Sequence, residues 1–434
     1  MANPEERPAP PAHPASGSAR VTAWFAETRL AELIDYIRER PDTLGTLIVV
    51  VVTTALYLFT SSRDRQELDY FVRLADAMLH GRIYLTQAPS WLNELIPRNG
   101  VWYVAYPPWP AILLIPFVAV FGVGFDQHIA SCIFGGLAVG LAWLVFGRFA
   151  LSGRVRLCLT VVFGFGTVLW YVAEVGSVWY ISHVVAVLFS MAAILVLLER
   201  RWPFLVGLLL GLAAISRLPV GLTAPFFFAI IVGLGWPPRL PARGERTRAF
   251  RDGLAFLIGI GIPTAGYLLY NEARWGTILD QSYVLIPGVL DDPIYAKHGI
   301  LSIDYIPRHL FAIFLRSFNY VDDPPFFQPS WYGLSPFLTT PLLLWLFRAR
   351  WRDPRVAWAV IGTGLALIPI VTHGNVGLTQ FGYRFILDVQ PLLFVILATV
   401  FERGMSRWAW AASIVSVVVC AYGLWAIGIG FVDF

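Results

Sequence analysis

What most constrains this chain is a succession of apolar runs, many near the ~20 residues a helix needs to cross a bilayer. They fall near 44–60, 127–147, 157–174, 179–199, 203–216, 219–235, 252–271, 334–347, 356–372, 385–401 and 408–429. In lipid every backbone N–H and C=O must be satisfied within its own segment, so such runs are helices. The alternating pattern of a barrel strand is absent. Charge agrees: only 14% of the residues are Asp, Glu, Lys or Arg, against about 25% in a soluble domain. The expected fold is an all-α polytopic transmembrane helical bundle of about eleven crossings. Two long external loops, 61–106 and 272–333, interrupt it.

Residues 1–20 are rich in Pro, Ala and Ser and read as a disordered N-terminus. Residues 21–43 carry Trp24, Phe25, Leu30, Leu33, Ile34 and Ile37 at helical spacing. That pattern reads as an amphipathic cytoplasmic surface helix, lying on the membrane or on the protein's own inner face. The transmembrane domain takes up 44–434. No basic segment precedes an apolar one at the N-terminus, so no cleaved signal peptide is expected. Cys132, Cys158 and Cys420 all fall in apolar runs and predict neither a disulfide framework nor a metal site.

The net charge is +4, and Lys297 is the only lysine. The arginines sit in short loops between apolar runs, which argues against a nucleic-acid partner. They cluster at 148–156, 200–201, 239–251, 348–355 and 403–407. The positive-inside rule places all five clusters in the cytoplasm. Glu174, Arg217 and the loops 272–333 and 373–384 then lie outside. Residues 107–125 break this alternation. Either they are re-entrant or interfacial, which Pro107, Pro108, Pro110 and Pro116 favour, or the N-terminus is outside. The first reading, with a cytoplasmic N-terminus, is preferred.

Ionisable groups near membrane depth are functional candidates by default. Asp64, Glu67 and Asp69 open the first external loop, with Arg63, Arg65 and Arg73 interleaved. Residues 66–80 are helix-compatible, so one reading is a solvated helix laced with i,i+4 ion pairs. The other is a carboxylate acting as general base on an acceptor hydroxyl, or holding a divalent cation against phosphate oxygens. Glu174 and His183 flank the outer end of a helical hairpin. Tyr383, Arg384 and Asp388 enter the next-to-last crossing. Arg384 and Asp388, four residues apart, either pair with each other or leave Arg384 to bind a phosphate through its planar fork. Arg217, at a hairpin tip, is a second phosphate candidate. Asn271, Glu272, Arg274 and Asp280 open the second long loop as weaker sugar contacts. There is no Walker A motif, no Rossmann glycine pattern, no HExxH and no zinc-like histidine spacing.

The layout resembles the GT-C superfamily of membrane glycosyltransferases, including family-39-like enzymes, protein mannosyltransferases and aminoarabinose transferases. The carriers are ELDYFVRLADAMLHG at 67–81, YPPWPAILL at 106–114 and FGYRFILDVQP at 381–391. The resemblance implies a polyprenyl-phosphate sugar donor, an extracytoplasmic active site and an inverting transfer. Its usual Asp-Glu pair falls here on Gln66 and Glu67, and Gln66 cannot be a base. On this reading Arg384 and Arg217 hold the donor phosphate, and Asp64, Glu67 or Asp69 deprotonates the acceptor. Glu174, His183, Tyr383 and Asp388 complete the substrate site. A divalent cation, Mg or Mn, is the one cofactor left open. The expected partners are a lipid-linked donor, membrane lipid and a glycan, lipid or protein acceptor, in the cell's inner (plasma) membrane. The rivals are a lipid-linked glycan flippase or transporter, which should show internal repeats, and a non-catalytic scaffold. No repeat is seen.

Overall fold

The computed structural model describes residues 41–61, 68–199 and 202–432. Residues 1–20, expected from the sequence to be disordered, and most of the surface helix expected at 21–43 lie outside these residues. Residues 1–48 and 49–434 form two units. Of the first, only residues 41–48, which begin the first helix, are described. The account below concerns the second.

Among the described residues, six helices are long and apolar enough to cross a membrane. They are Asp42–Thr60, Gln127–Phe146, Val178–Glu199, Arg243–Trp275, Pro354–Val371 and Arg407–Gly428. A bent pair, Gly153–Phe165 and Leu169–Val175, makes a seventh if taken as one span. Four apolar helices are shorter: Trp109–Gly124, Pro203–Ala214, Leu218–Val232 and Gln390–Phe401. The protein is thus a multi-pass helical membrane bundle. The count of about eleven crossings takes the eleven apolar runs as spans and leaves 107–125 out as re-entrant or interfacial. Prolines cut several runs short: Pro336–Thr339 is a single α-turn, and Pro341–Arg348 continues it as a 3-10 helix. The Trp109–Phe121 α-helix has 13 residues, a length of ~20 Å, against a hydrocarbon core of ~30 Å.

Polar caps fix where the helices start. Asp126, Ser152, Asp353 and Ser406 each accept a backbone N–H from the first turn that follows. At the bend between Gly153–Phe165 and Leu169–Val175, Thr167 Oγ1 donates to the Phe163 carbonyl at 2.8 Å. Thr340 Oγ1 donates to the Gly166 carbonyl at 2.7 Å, so the bend leaves that carbonyl paired. Pro203–Ala214 and Arg246–Trp275 pack with backbones almost touching. A Cβ on Gly207 would sit 2.1 Å from the Phe256 carbonyl oxygen, and one on Gly259 2.1 Å from that of Phe204. Small residues at such a crossing are how helices associate without a hydrophobic driving force. Gln390–Phe401 is buried along almost its whole length.

The described basic clusters gather at one end of these helices, where Arg148 meets Glu199 and Arg355 meets Asp353 and Glu402. The other end carries the polar loops. In the first, the helix Tyr70–Leu79 leads to an antiparallel hairpin, Leu95–Arg98 with Val101–Val104. Its turn is Asn99–Gly100, both at positive φ, the preferred type I′ pair. The second loop holds the helix Ile306–Phe314 and a short pair, Asn319–Tyr320 with Phe327–Gln328.

Candidate functional site

The segment 376–388 anchors the site. Gln380 is fully buried and donates through Nε2 to the carbonyls of Tyr332 and Val376, at 2.8 and 2.9 Å. Its Oε1 accepts from Arg384 Nη1 at 3.1 Å, and Leu378's carbonyl accepts from the same nitrogen at 2.9 Å. Arg384 is thereby fixed in the loop, while its buried Nε has no hydrogen-bond partner among the described residues. Tyr383 is buried. His309 on Ile306–Phe314 donates through Nε2 to the His373 carbonyl, at 2.8 Å, so its Nδ1 accepts the Tyr383 hydroxyl at 2.7 Å. Burial lowers the His309 pKa to about 4, which keeps the ring neutral for this pairing.

Arg384 and Asp388 do not pair. Arg384–Asp388 is a 3-10 helix, in which residues four apart point about 120° away from each other. Asp388, with its side chain wholly buried, instead takes Arg217 at two points, Nε at 3.2 Å and Nη2 at 3.0 Å. It also takes His183 Nδ1 at 2.7 Å. The carboxylate only accepts, so His183 carries its proton on Nδ1. Its buried Nε2 has no partner among the described residues. His183 is fully buried and holds Asp388 in place. The guanidinium groups of Arg217 and Arg384 both lie against the Phe385 ring, 5.5 and 5.2 Å from its centroid. Two fixed cations thus converge on one aromatic ring at the loop end of the bundle.

The first-loop carboxylates divide. Asp64 and Glu67 lie outside the described residues. Asp69 stands at the start of Tyr70–Leu79, where its Oδ1 accepts from Arg73 Nε at 3.0 Å and Trp91 Nε1 at 3.3 Å. That is the helical ion pair weighed above. Glu174 sits half-buried on Leu169–Val175, within electrostatic reach of Tyr57 and Cys132. Asn271 and Arg274 are buried and structural: Arg274 bonds Val104's carbonyl and Asn271 Oδ1, at 2.8 and 2.7 Å. Asp280 accepts the Tyr267 hydroxyl at 2.7 Å, and Glu272 is exposed.

Sequence reasoning passed over Glu94. It directly precedes the hairpin, and its Oε2 accepts from Trp179 Nε1 at 3.0 Å. Its backbone N–H donates to the Tyr70 hydroxyl at 2.8 Å. Its charge reaches Arg384, and Tyr283 feels Glu94, Arg217 and Arg384 together. The signal was Asn-Gly flanked by LIPR and VWYV, a hairpin pattern that folds residue 94 back toward the bundle. Among the described residues no three His, Cys, Asp or Glu side chains stand together as metal ligands. Asp64 and Glu67 are not among those residues. Cavities of about 280 and 370 Å³ open at the basic end, beside Arg248 and Asp252 and beside Asp353 and Arg355. They hold ion-paired side chains and lie away from the cations at Phe385.

No protein-family model matches the sequence, and no curated protein aligns with it significantly. Among solved structures, the chain is similar to ArnT from Cupriavidus metallidurans bound to undecaprenyl phosphate. The TM-score is 0.52 at 14% identity, over 89% of this chain and 65% of that one. Apo ArnT gives a TM-score of 0.51 at 15% identity, with the same coverage. The yeast protein O-mannosyltransferase Pmt1–Pmt2 complex bound to the sugar donor gives 0.38 at 14% identity, over 67% of this chain and 38% of that one, too low to carry an argument. The chain spans 65% of the ArnT length. The likeness shows the fold: a multi-pass helical bundle of the kind ArnT has, the architecture that the sequence resemblance implied.

Proposed function

We propose that this protein is a membrane glycosyltransferase that moves a sugar from a polyprenyl-phosphate donor to a hydroxyl acceptor outside the inner membrane. The observation that carries it is the pair of fixed guanidinium groups, Arg217 and Arg384, against one aromatic ring at the loop end of a GT-C bundle. A lipid phosphate needs such cations where water meets hydrocarbon, and the arginine fork binds its oxygens bidentately. ArnT, which shares the fold, was crystallised bound to undecaprenyl phosphate.

In this reading Arg384 offers its unpaired Nε to the phosphate, and Arg217 is presented by the buried Asp388. As the glycosidic bond breaks, negative charge builds on the leaving phosphate, and prepositioned cations stabilise it at no reorganisation cost. A first-loop carboxylate takes the acceptor's proton. Asp69 is already engaged by Arg73 and Trp91, so of the three sequence candidates Asp64 and Glu67 remain. A divalent cation, if required, would be held by these same acids.

The test is to incubate purified protein with a panel of polyprenyl-phosphate sugars and a membrane extract, with and without Mn²⁺ and with chelator, following donor loss by mass spectrometry. One donor should be consumed only when extract is present. Folded protein that consumes none would favour a lipid-linked glycan transporter instead.

A further inference from the structure

Glu94 is a first-loop carboxylate with no salt bridge among the described residues, and it meets Trp179, whose neighbour Tyr180 carries the Arg384 guanidinium 5.2 Å from its ring centroid. Its Oε2 accepts from the Trp179 indole N–H, which is shared with the Tyr106 hydroxyl, and its Oε1 accepts no hydrogen bond among the described residues. It lies within electrostatic reach of Arg384, yet the two groups form no salt bridge among the described residues. Glu94 and Arg384 thus meet two successive residues of one helix, Trp179 and Tyr180, which brings the carboxylate and the phosphate-binding cation to the same place on the bundle. Tyr70 holds the backbone N–H of Glu94 and stacks edge-on to Tyr106, so two tyrosines brace the position.

We infer that Glu94 is the general base of the transfer, a role resting on the glycosyltransferase reading above. The acceptor's O–H proton passes to Glu94 Oε1, and the acceptor oxygen bonds to the anomeric carbon. The bond from that carbon to the phosphate oxygen breaks, and its electron pair leaves on the polyprenyl phosphate beside Arg384 and Arg217. One sugar is transferred, one proton moves to Glu94, and no oxidant or reductant enters.

The electrostatics fit this role. Burial raises the Glu94 pKa, while the Trp179 hydrogen bond and the Arg384 charge pull it back down. A base lifted toward working pH transfers protons most effectively. Arg384, Tyr70, Tyr283 and Tyr295 are the charged or titratable groups facing it. Burial pushes the Tyr283 pKa up to about 12 and those of Tyr70 and Tyr295 higher still. With the three tyrosines held protonated, Glu94 is the carboxylate of this set that changes charge.

The experiment compares wild type, Glu94→Gln, Glu94→Asp, Trp179→Phe, Asp64→Asn and Glu67→Gln, with polyprenyl-phosphate binding read by native mass spectrometry and kcat/KM read against pH. Glu94→Gln should lose transfer by ~100-fold or more, keep lipid binding within about twofold, and lose the acidic limb of the pH profile. Glu94→Asp should regain part of the rate. Trp179→Phe should move that limb to higher pH, since the hydrogen bond favours the charged form. Glu94→Gln with near wild-type transfer, or an acidic limb abolished by Asp64→Asn or Glu67→Gln but not by Glu94→Gln, would overturn the inference while leaving the glycosyltransferase reading standing. Wild-type protein inert toward every donor would overturn both.

Discussion

Arg384 and Asp388 stand four positions apart and meet different partners, and that separation organises the site. Asp388 is spent on orienting Arg217 and His183, which frees Arg384 to lean on Gln380 and Leu378. A buried carboxylate with this many donors cannot be removed quietly, because Arg217 and the buried His183 lose the acceptor that orients them. Asp388→Asn should lower stability by about 3 kcal/mol and raise KM for the donor more than it lowers kcat, since Arg217 loses its bidentate anchor. Thermal melting and donor titration check this. An Asp388→Asn protein with wild-type melting and KM would show that Arg217 is held by something else. The sequence named Arg217, His183, Arg384 and Asp388, because charge at membrane depth stands out against an apolar background. It left their pairing open, since the segment leading into Arg384–Asp388 is anchored from far along the chain, Gln380 N–H to the Trp331 carbonyl and Tyr383 N–H to that of Leu334.

At the scale of elements, hydropathy reads where helices are and says less about how long they run. Val178–Glu199 and Arg407–Gly428 match the apolar runs 179–199 and 408–429 almost to the residue. The run 334–347 does not become a spanning helix, because Pro336 and Pro341 each restart the backbone. The hairpin that presents Glu94 escaped because its strands are only four residues each, below what period-two patterning resolves inside a polar loop. Its Asn-Gly turn was the readable part. Helix contacts give a sharper test. Gly207→Val should destabilise the fold by about 3 kcal/mol, as overpacking does, because its Cβ meets the Phe256 carbonyl. Gly261→Ala, five residues beyond Phe256 on the partner helix with open space around it, should be neutral or slightly stabilising. Melting temperatures of the two variants that moved together would mean the close crossing is misplaced.

At the scale of the whole molecule, the bundle has two chemically distinct ends. One is ringed by arginines, several of them neutralised by local acids such as Glu199, Asp252, Asp353 and Glu402. The other gathers the long polar loops, the two arginines against Phe385 and Glu94. A charge-poor sequence with one-sided loops makes that polarity legible, and the likeness to ArnT shows the same fold at 14% identity. The central claim is that Arg384 and Arg217 cradle a lipid phosphate at the loop end. The most direct measurement is native mass spectrometry of the protein with a polyprenyl phosphate, comparing wild type, Arg384→Ala, Arg217→Ala and Arg246→Ala at the basic end. Binding that survives in Arg246→Ala and falls tenfold or more in the other two is the expected result. Loss in Arg246→Ala alone, or equal binding in all four, would contradict the account.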